Sequence, residues 1–202
     1  MSTVLKMGRR VLLGSVMGVL LASTAHAAPS FDLPTLMQAM GKHKERTATF
    51  VETKVISTLK QPQVSKGEVR YVAPNTFEKH TYQPWTESFR VQGNKLELTD
   101  RQGRNWYADL NKRPHAAAFV NGVVGLLSGN KDALERNYKY TLTGSLNKWT
   151  LTLVPKDAKM LEIITKVVAS GDSENMRTLR YEQADGDRST MEMTPTNKPG
   201  KK

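Results

Sequence analysis

Residues that could perform catalysis are few in this 202-residue sequence, and none of them falls into a catalytic spacing. There is no cysteine, and no G-x-S-x-G pattern occurs; the nearest serine context is Thr143-Gly144-Ser145-Leu146. Beyond the first thirty residues the histidines are His43, His80 and His115, which lack the H-x-x-x-H and H-x-x-E-H spacings of zinc sites. We therefore predict no catalytic residue, no metal site and no cofactor.

Two further sets of residues could bind a ligand, but each has a simpler interpretation. Asp185-Gly186-Asp187 could begin a calcium loop, yet the further acidic ligands of such a loop are missing, and Asp-Gly favours a hairpin turn. Trp85, Trp106 and Trp149 could stack on sugars, although isolated aromatic residues in strands usually pack in the core or across strands. Neither set indicates chemistry.

The N-terminus has the pattern of a secretory signal peptide. Lys6, Arg9 and Arg10 precede the uncharged run 11–21, and Ala25-His26-Ala27 supplies an A-x-A cleavage pattern. The alternative is an uncleaved membrane anchor, but the run 11–24 is shorter than the roughly 20 apolar residues that span a bilayer. We predict that residues 1–27 are removed after Ala27 and that the protein is periplasmic.

The remaining chain has the length of a single domain with a basic surface. We assign residues 28–195 to one domain and residues 196–202 to a disordered basic tail. The sequence holds 30 Lys and Arg against 19 Asp and Glu, a net charge of +11. Because export excludes nucleic acid as a natural partner, this charge favours anionic lipid head groups, acidic proteins or simple solubility.

Hydrophobic periodicity predicts one helix followed by a long run of strands. Asp32 is a suitable N-cap, Pro34 suits a first helical turn, and apolar residues then recur at helical spacing, which predicts a helix over 32–44. After Thr47 the period changes to two, and turn residues separate short runs. The predicted strands are 47–58, 67–73, 76–82, 86–92, 95–99 and 104–110.

A second helical region interrupts the strands. Residues 115–127 read HAAAFVNGVVGLL and predict a buried or lid-like helix, and residues 131–137 add a shorter helix. Strands resume over residues 138–143, 148–154, 160–169, 176–183 and 188–193. The pattern predicts an antiparallel sheet of about eleven strands.

The later strands carry their apolar residues on one face. Trp149, Leu151 and Leu153 alternate with polar residues, and we expect Leu161, Ile163 and Val167 to share a face in the next strand. An apolar face of this size needs a cover, and the sequence offers few helices for it. Periodicity alone leaves two interpretations open, a fully packed α+β core and a cavity beneath the helices.

Several short segments, in order along residues 32–194, resemble the LolA family of periplasmic lipoprotein carriers. The segment 67–77 reads GEVRYVAPNTF, and Gln83-Pro84 and Gln92-Gly93-Asn94-Lys95 follow it at similar places. Upstream, the segment 48–52 resembles the family's A-x-F-x-Q strand, and downstream the segment 149–155 resembles its strand ending in Thr-Pro.

The resemblance implies an α+β fold, an incomplete antiparallel β-barrel of about eleven strands covered by a helical lid. It also implies a monomer that shelters the acyl chains of a lipoprotein or other acylated lipid, taken from an inner-membrane exporter and delivered to an outer-membrane acceptor. No catalysis is implied. The residues predicted to line the lipid-binding cavity are Phe50, Phe77, Phe89, Leu96, Leu98, Phe119, Val123, Leu127, Trp149, Leu151, Ile163 and Val167.

Two departures from the family pattern keep other functions open. The family places an arginine, associated with the closed lid, where this chain has Ala73, and Lys79 replaces an aromatic residue two positions after Phe77. The alternatives are a carrier of another acylated molecule, a periplasmic lipid- or peptide-binding regulator with the similar RseB-like fold, and an enzyme acting on lipids.

Overall fold

The computed structural model describes residues 31–196, which form one antiparallel sheet and a few short helices. The predicted signal peptide and residues 197–202 of the predicted tail lie outside the described residues. The helices are α1 (Leu33–Met40), α2 (Pro114–Ser128), α3 (Lys131–Asn137) and α4 (Ala158–Leu161). The strands are β1 (Glu45–Val55), β2 (Gln63–Val72), β3 (Thr76–Gln83), β4 (Glu87–Gln92), β5 (Lys95–Thr99), β6 (Asn105–Asp109), β7 (Tyr138–Ser145), β8 (Lys148–Pro155), β9 (Ile164–Asp172), β10 (Asn175–Gln183) and β11 (Arg188–Pro195).

The eleven strands pair in the order β6-β5-β4-β3-β2-β1-β11-β10-β9-β8-β7. Strands that are consecutive in sequence pair with each other, except β6 and β7, and the pairing of β1 with β11 joins the two meanders in the middle of the sheet. β6 and β7 form the two edges, so the sheet is not closed. The prediction of an incomplete antiparallel barrel with helices is confirmed.

Strand register collects the apolar side chains on one face of this sheet. Phe50 of β1 is opposite Gly67 of β2 and Met193 of β11, and Leu151 of β8 is opposite Ala169 of β9. We call this the inner face, because α2 packs against it. The helices add buried residues to the same core, among them Leu33, Leu36, Met40, Val120, Leu126 and Leu134.

Helix termini follow the capping residues that the sequence supplies. The Asp32 carboxylate accepts a hydrogen bond from the main-chain N–H of Thr35 at 3.0 Å and begins α1, as predicted. The helix ends at Met40, four residues before the predicted end, since residues 42–44 offer no apolar side chain to bury. α2 ends at Ser128 and is capped by Gly129, whose φ of 71° suits glycine.

The predicted strand over residues 160–169 is wrong in its first part. The Asp157 carboxylate accepts a hydrogen bond from the N–H of Met160 at 2.8 Å and caps the short helix α4, so β9 begins only at Ile164. Ile163 lies between the two elements and is 52% exposed. It therefore does not share an inner face with Val167.

Candidate functional site

A cavity of about 570 Å³ lies between the C-terminal end of α2 and the central strands of the sheet. Its wall comes from β1, β2, the start of β3, the end of β11 and the β9–β10 turn. The residues that line it are His43, Glu45, Arg46, Thr47, Ala48, Val69, Arg70, Tyr71, Phe77, Leu127, Glu174, Asn175, Met176, Met193, Pro195 and Thr196.

Pairing between strands positions the apolar part of the wall. Ala48 is directly opposite Val69, and Tyr71 is directly opposite Phe77 on the next strand. The Tyr71 hydroxyl donates to the main-chain oxygen of Pro74 at 3.1 Å, which holds this buried ring in place. Leu127 completes the wall from α2.

Contact between α1 and α2 places Leu127 above the sheet. A side chain at Gly129 would come within 2.3 Å of the Met37 main-chain oxygen and 2.8 Å of the Gly41 nitrogen. Only glycine therefore allows the end of α2 to lie this close to the end of α1.

Charged residues occupy one side of the cavity. Arg46 donates to the main-chain oxygens of Met40 and Glu174. The Glu174 carboxylate lies 3.2 Å from Nε2 of His43, and the Glu45 carboxylate lies 2.9 Å from Nε of Arg70. Burial lowers the pKa of Arg46, although the charge of Glu174 opposes that shift. The cavity thus has an apolar wall and a charged rim.

The remainder of the inner face beneath α2 is filled by side chains. A gap of only about 10 Å³ lies between α2 and the sheet near Phe119, Val123 and Val167. Gly122 explains this close packing, because a side chain there would come within 2.6 Å of the Tyr138 hydroxyl. The sequence left two interpretations open, a fully packed core and a cavity beneath the helices. The packed core describes the inner face beneath α2, and the cavity describes the inner face at the C-terminal end of α2.

The structure brings together only some of the residues predicted to line a lipid site. Phe77 and Leu127 line the 570 Å³ cavity, and Phe119, Val123 and Val167 line the small gap. Phe50, Trp149 and Leu151 are fully buried in the core. Phe89 and Leu96 pack against the core from the inner face, Leu98 is 38% exposed, and Ile163 lies outside the sheet.

Sequence reasoning missed Arg46, Tyr71, Met176 and Met193 as cavity residues. Arg46 could have been found, because it precedes Ala48 and Phe50 at the period-two positions that face the core. Met193 reaches the cavity through the pairing of β1 with β11, which joins the two meanders and which local patterns do not reveal. Met176 pairs with Gly171 of β9 at the start of β10.

One buried polar cluster also lies on the inner face, next to Phe50. The Glu52 carboxylate is bound by the Lys79 ammonium group and by the Ser189 hydroxyl, which donates at 2.6 Å, and Lys54 lies 3.8 Å away. The Lys79 nitrogen is 5.0 Å from the centroid of the Phe50 ring.

This cluster lacks the features of a catalytic site. Both Glu52 and Ser189 are about 1% exposed, so a substrate has no access to the hydroxyl. Within residues 31–196, no group of three or more His, Asp or Glu side chains could hold a metal ion. None of the helices in this part of the chain has the length and apolar character needed to span a membrane.

Comparison with known protein families assigns the chain. A model of the family described as outer membrane lipoprotein carrier protein LolA-like matches residues 25–196. The chain belongs to the LolA-like family. The resemblance seen in the sequence is thereby confirmed.

Solved structures resemble this LolA-like protein only distantly. A LolA superfamily protein from Nitrosomonas europaea is 9% identical, with a TM-score of 0.44 over 82% of this chain and 92% of that chain. A putative outer membrane lipoprotein-sorting protein domain from Vibrio parahaemolyticus is 9% identical, with a TM-score of 0.46 over 84% and 92%. MucB from Pseudomonas aeruginosa, solved in complex with MucA, is 12% identical, with a TM-score of 0.45 over 84% of this chain and 57% of that chain. No curated protein sequence matches the chain.

The structure shows what surrounds Ala73, which stands where the LolA-like pattern has an arginine. Ala73 pairs through its main-chain N–H with Lys44 at 2.7 Å and carries no group that could hold a lid. Arg70 and Arg90, which could have replaced the family's arginine, both bond to Glu78, at 3.5 Å and 3.1 Å. Arg46, in contrast, links the sheet to the end of α1.

Proposed function

We propose that this protein is a periplasmic carrier that shelters the acyl chains of a lipoprotein or related lipid in the 570 Å³ cavity and moves them toward the outer membrane. The observation that carries the proposal is the apolar wall of that cavity in a LolA-like fold: Val69, Tyr71, Phe77, Leu127, Met176 and Met193. Its volume lies within the range of about 300–1,000 Å³ that is typical of ligand pockets.

Transfer of acyl chains into such a cavity needs no reaction. Burial of each CH₂ group stabilises the complex by about 0.8 kcal/mol, so a fatty chain provides the binding energy. An exporter in the inner membrane would supply the cargo, and an acceptor at the outer membrane would receive it.

Mass spectrometry of lipids retained by protein purified from its native periplasm tests this function. We expect an acylated molecule in the wild type and much less of it in Ala48→Trp, because the indole would fill the cavity. Thr49→Trp is the matched control, since the adjacent side chain is exposed on the opposite face.

Circular dichroism and thermal unfolding should show that both variants remain folded. Equal lipid content in the wild type and in a folded Ala48→Trp variant would show that the cavity does not hold the cargo.

A further inference from the structure

Arg46 places a charged group at the apolar cavity without a hydrogen-bonded carboxylate. Its two terminal nitrogens donate to main-chain oxygens, those of Met40 in α1 and Glu174 in the β9–β10 turn. Its Nε–H group is buried and has no partner among the described residues. The hydrogen bonds of this guanidinium therefore go to neutral carbonyl groups, and the Glu174 carboxylate acts on it only as a nearby charge.

The acidic residues around the cavity direct their carboxylates to side chains other than that of Arg46. Glu174 directs its carboxylate to His43, and Glu45 directs its carboxylate to Arg70. Arg70 bonds to a second carboxylate, that of Glu78, at 3.5 Å. Arg46 differs from Arg70 because it forms no ion pair within residues 31–196.

A guanidinium in this environment favours an anion. It has five N–H donors in a planar fork, and its hydrogen bonds to carboxylate or phosphate are roughly twice as strong as those between neutral groups. Arginine is also weakly hydrated compared with lysine, which makes it suitable for a partly buried anion site.

The same cavity offers apolar contacts next to this charge. Tyr71, Phe77 and Met193 line the wall together with Arg46. The combination fits a ligand with an apolar chain and one charged end.

We propose that Arg46 binds the anionic group, a carboxylate or a phosphate, of an amphipathic acyl ligand held in this cavity. This inference rests on the proposed carrier function and names the class of its ligand. The acyl chain contacts the apolar wall, and the anionic end lies at the charged rim.

Displacement of the neutral fluorescent probe N-phenyl-1-naphthylamine by four dodecyl compounds tests the inference in the wild type. The compounds are dodecanoate, dodecyl phosphate, dodecanol and dodecyltrimethylammonium. We expect the two anions to bind about tenfold or more tightly than dodecanol, the difference expected for charge-assisted hydrogen bonds. The cation should bind most weakly.

Variants then test whether a preference for the anionic compounds over dodecanol comes from Arg46. Arg46→Gln should reduce the affinity for both anions to that for dodecanol, while its affinity for dodecanol stays unchanged. Arg46→Lys keeps the charge and should retain part of the preference. Arg90→Gln is the control, because Arg90 pairs with Glu78, does not line the cavity and should leave the full preference intact.

The other possible outcomes would contradict either the anion site alone or the carrier function as well. Equal binding of dodecanol and the anions would overturn the anion site but leave the carrier function. Absence of binding by all four compounds would overturn both. An anion preference that persists in folded Arg46→Gln would place the site on another cation and also overturn the inference.

Discussion

Among the single residues that the structure describes, Glu52 is the most completely buried acidic group, at about 1% exposure. Burial opposes its ionisation, but the ammonium groups of Lys79 and Lys54 and the hydrogen bonds from Lys79 and Ser189 outweigh that effect. The pKa of Glu52 is therefore held below its ordinary value. The pair has to remain intact, since either charge alone would be costly at this depth.

Replacement of Lys79 with methionine should destabilise the protein by about 3 kcal/mol at pH 7, the usual cost of breaking a buried ion pair. The variant leaves the Glu52 carboxylate with Ser189 and the more distant Lys54. Urea denaturation measures the change. Arg180→Met is the control, because its pair with Glu182 is exposed and should contribute less than about 1 kcal/mol.

The difference in stability between the wild type and Lys79→Met should change with pH in a predictable direction. In the wild type the folded pKa of Glu52 is lowered, so its stabilising contribution is present above the unfolded pKa and is lost as pH falls through the folded pKa. In Lys79→Met the Glu52 pKa should rise, and protonation then relieves the penalty. The difference between wild type and variant should narrow from pH 7 to pH 4, and a constant difference would contradict this account.

Local patterns identify buried apolar residues but not the partners of buried charges. Alternation placed Trp149 and Leu151 in the core correctly. Lys79 was noticed only as a departure from a family pattern, because its partner Glu52 is 27 residues away in sequence. That distance is closed by two strand pairings whose register the sequence does not specify.

At the scale of elements, glycine in β2 allows the sheet to bend around Phe50. The pairing of β2 with β3 shifts register between Lys66 and Gly67. A side chain at Gly67 would come within 1.9 Å of the His80 main-chain oxygen and 2.8 Å of the Phe50 ring. The strand can curve here because no Cβ separates these atoms.

Gly67→Ala should therefore destabilise the protein by about 3 kcal/mol or more, at the upper end of overpacking effects. Gly103→Ala is the control, because it has open space around it and only its φ of 76° resists the change, at about 1–2 kcal/mol. Urea denaturation compares the two. A cost for Gly67→Ala no greater than that for Gly103→Ala would show that the strands separate easily.

Most elements could be predicted from periodicity and turn residues, including both longer helices and the Asp185-Gly186 hairpin. The error at α4 has a physical cause. Leu161 and Ile163 alternate as they would in a strand, but the cap from Asp157 to Met160 makes a helical turn the better conformation. The apolar pattern alone allows both structures, and this N-cap hydrogen bond favours the helical turn.

At the scale of the whole molecule, the inner face is packed under α2 and hollow beside its end. Periodicity could not predict this division, because the cavity depends on how closely α1 and α2 meet at Gly129 and on where the two meanders join. The lipid-site prediction therefore included residues from both parts. Phe77 and Leu127 line the cavity, whereas Trp149 and Leu151 belong to the filled part.

A ligand that occupies only the folded cavity must stabilise the whole protein. At a free dodecanoate concentration one hundred times its Kd, the free energy of unfolding should rise by about 2.7 kcal/mol. Denaturation with and without ligand measures this, and Ala48→Trp should show no increase. An equal increase in that variant would mean that dodecanoate binds elsewhere.

The unclosed sheet has a consequence for the protein at high concentration. The edge strand β6 leaves main-chain donors and acceptors available to another chain. Trp106 and Tyr107 on that strand are 59% and 72% exposed. Lysine or proline on an edge strand often prevents pairing with another chain, and β6 has neither. The main feature of β6 that limits such pairing is its short length of five residues. Concentrated samples should thus self-associate through this strand, and Trp106→Lys should make the protein more soluble.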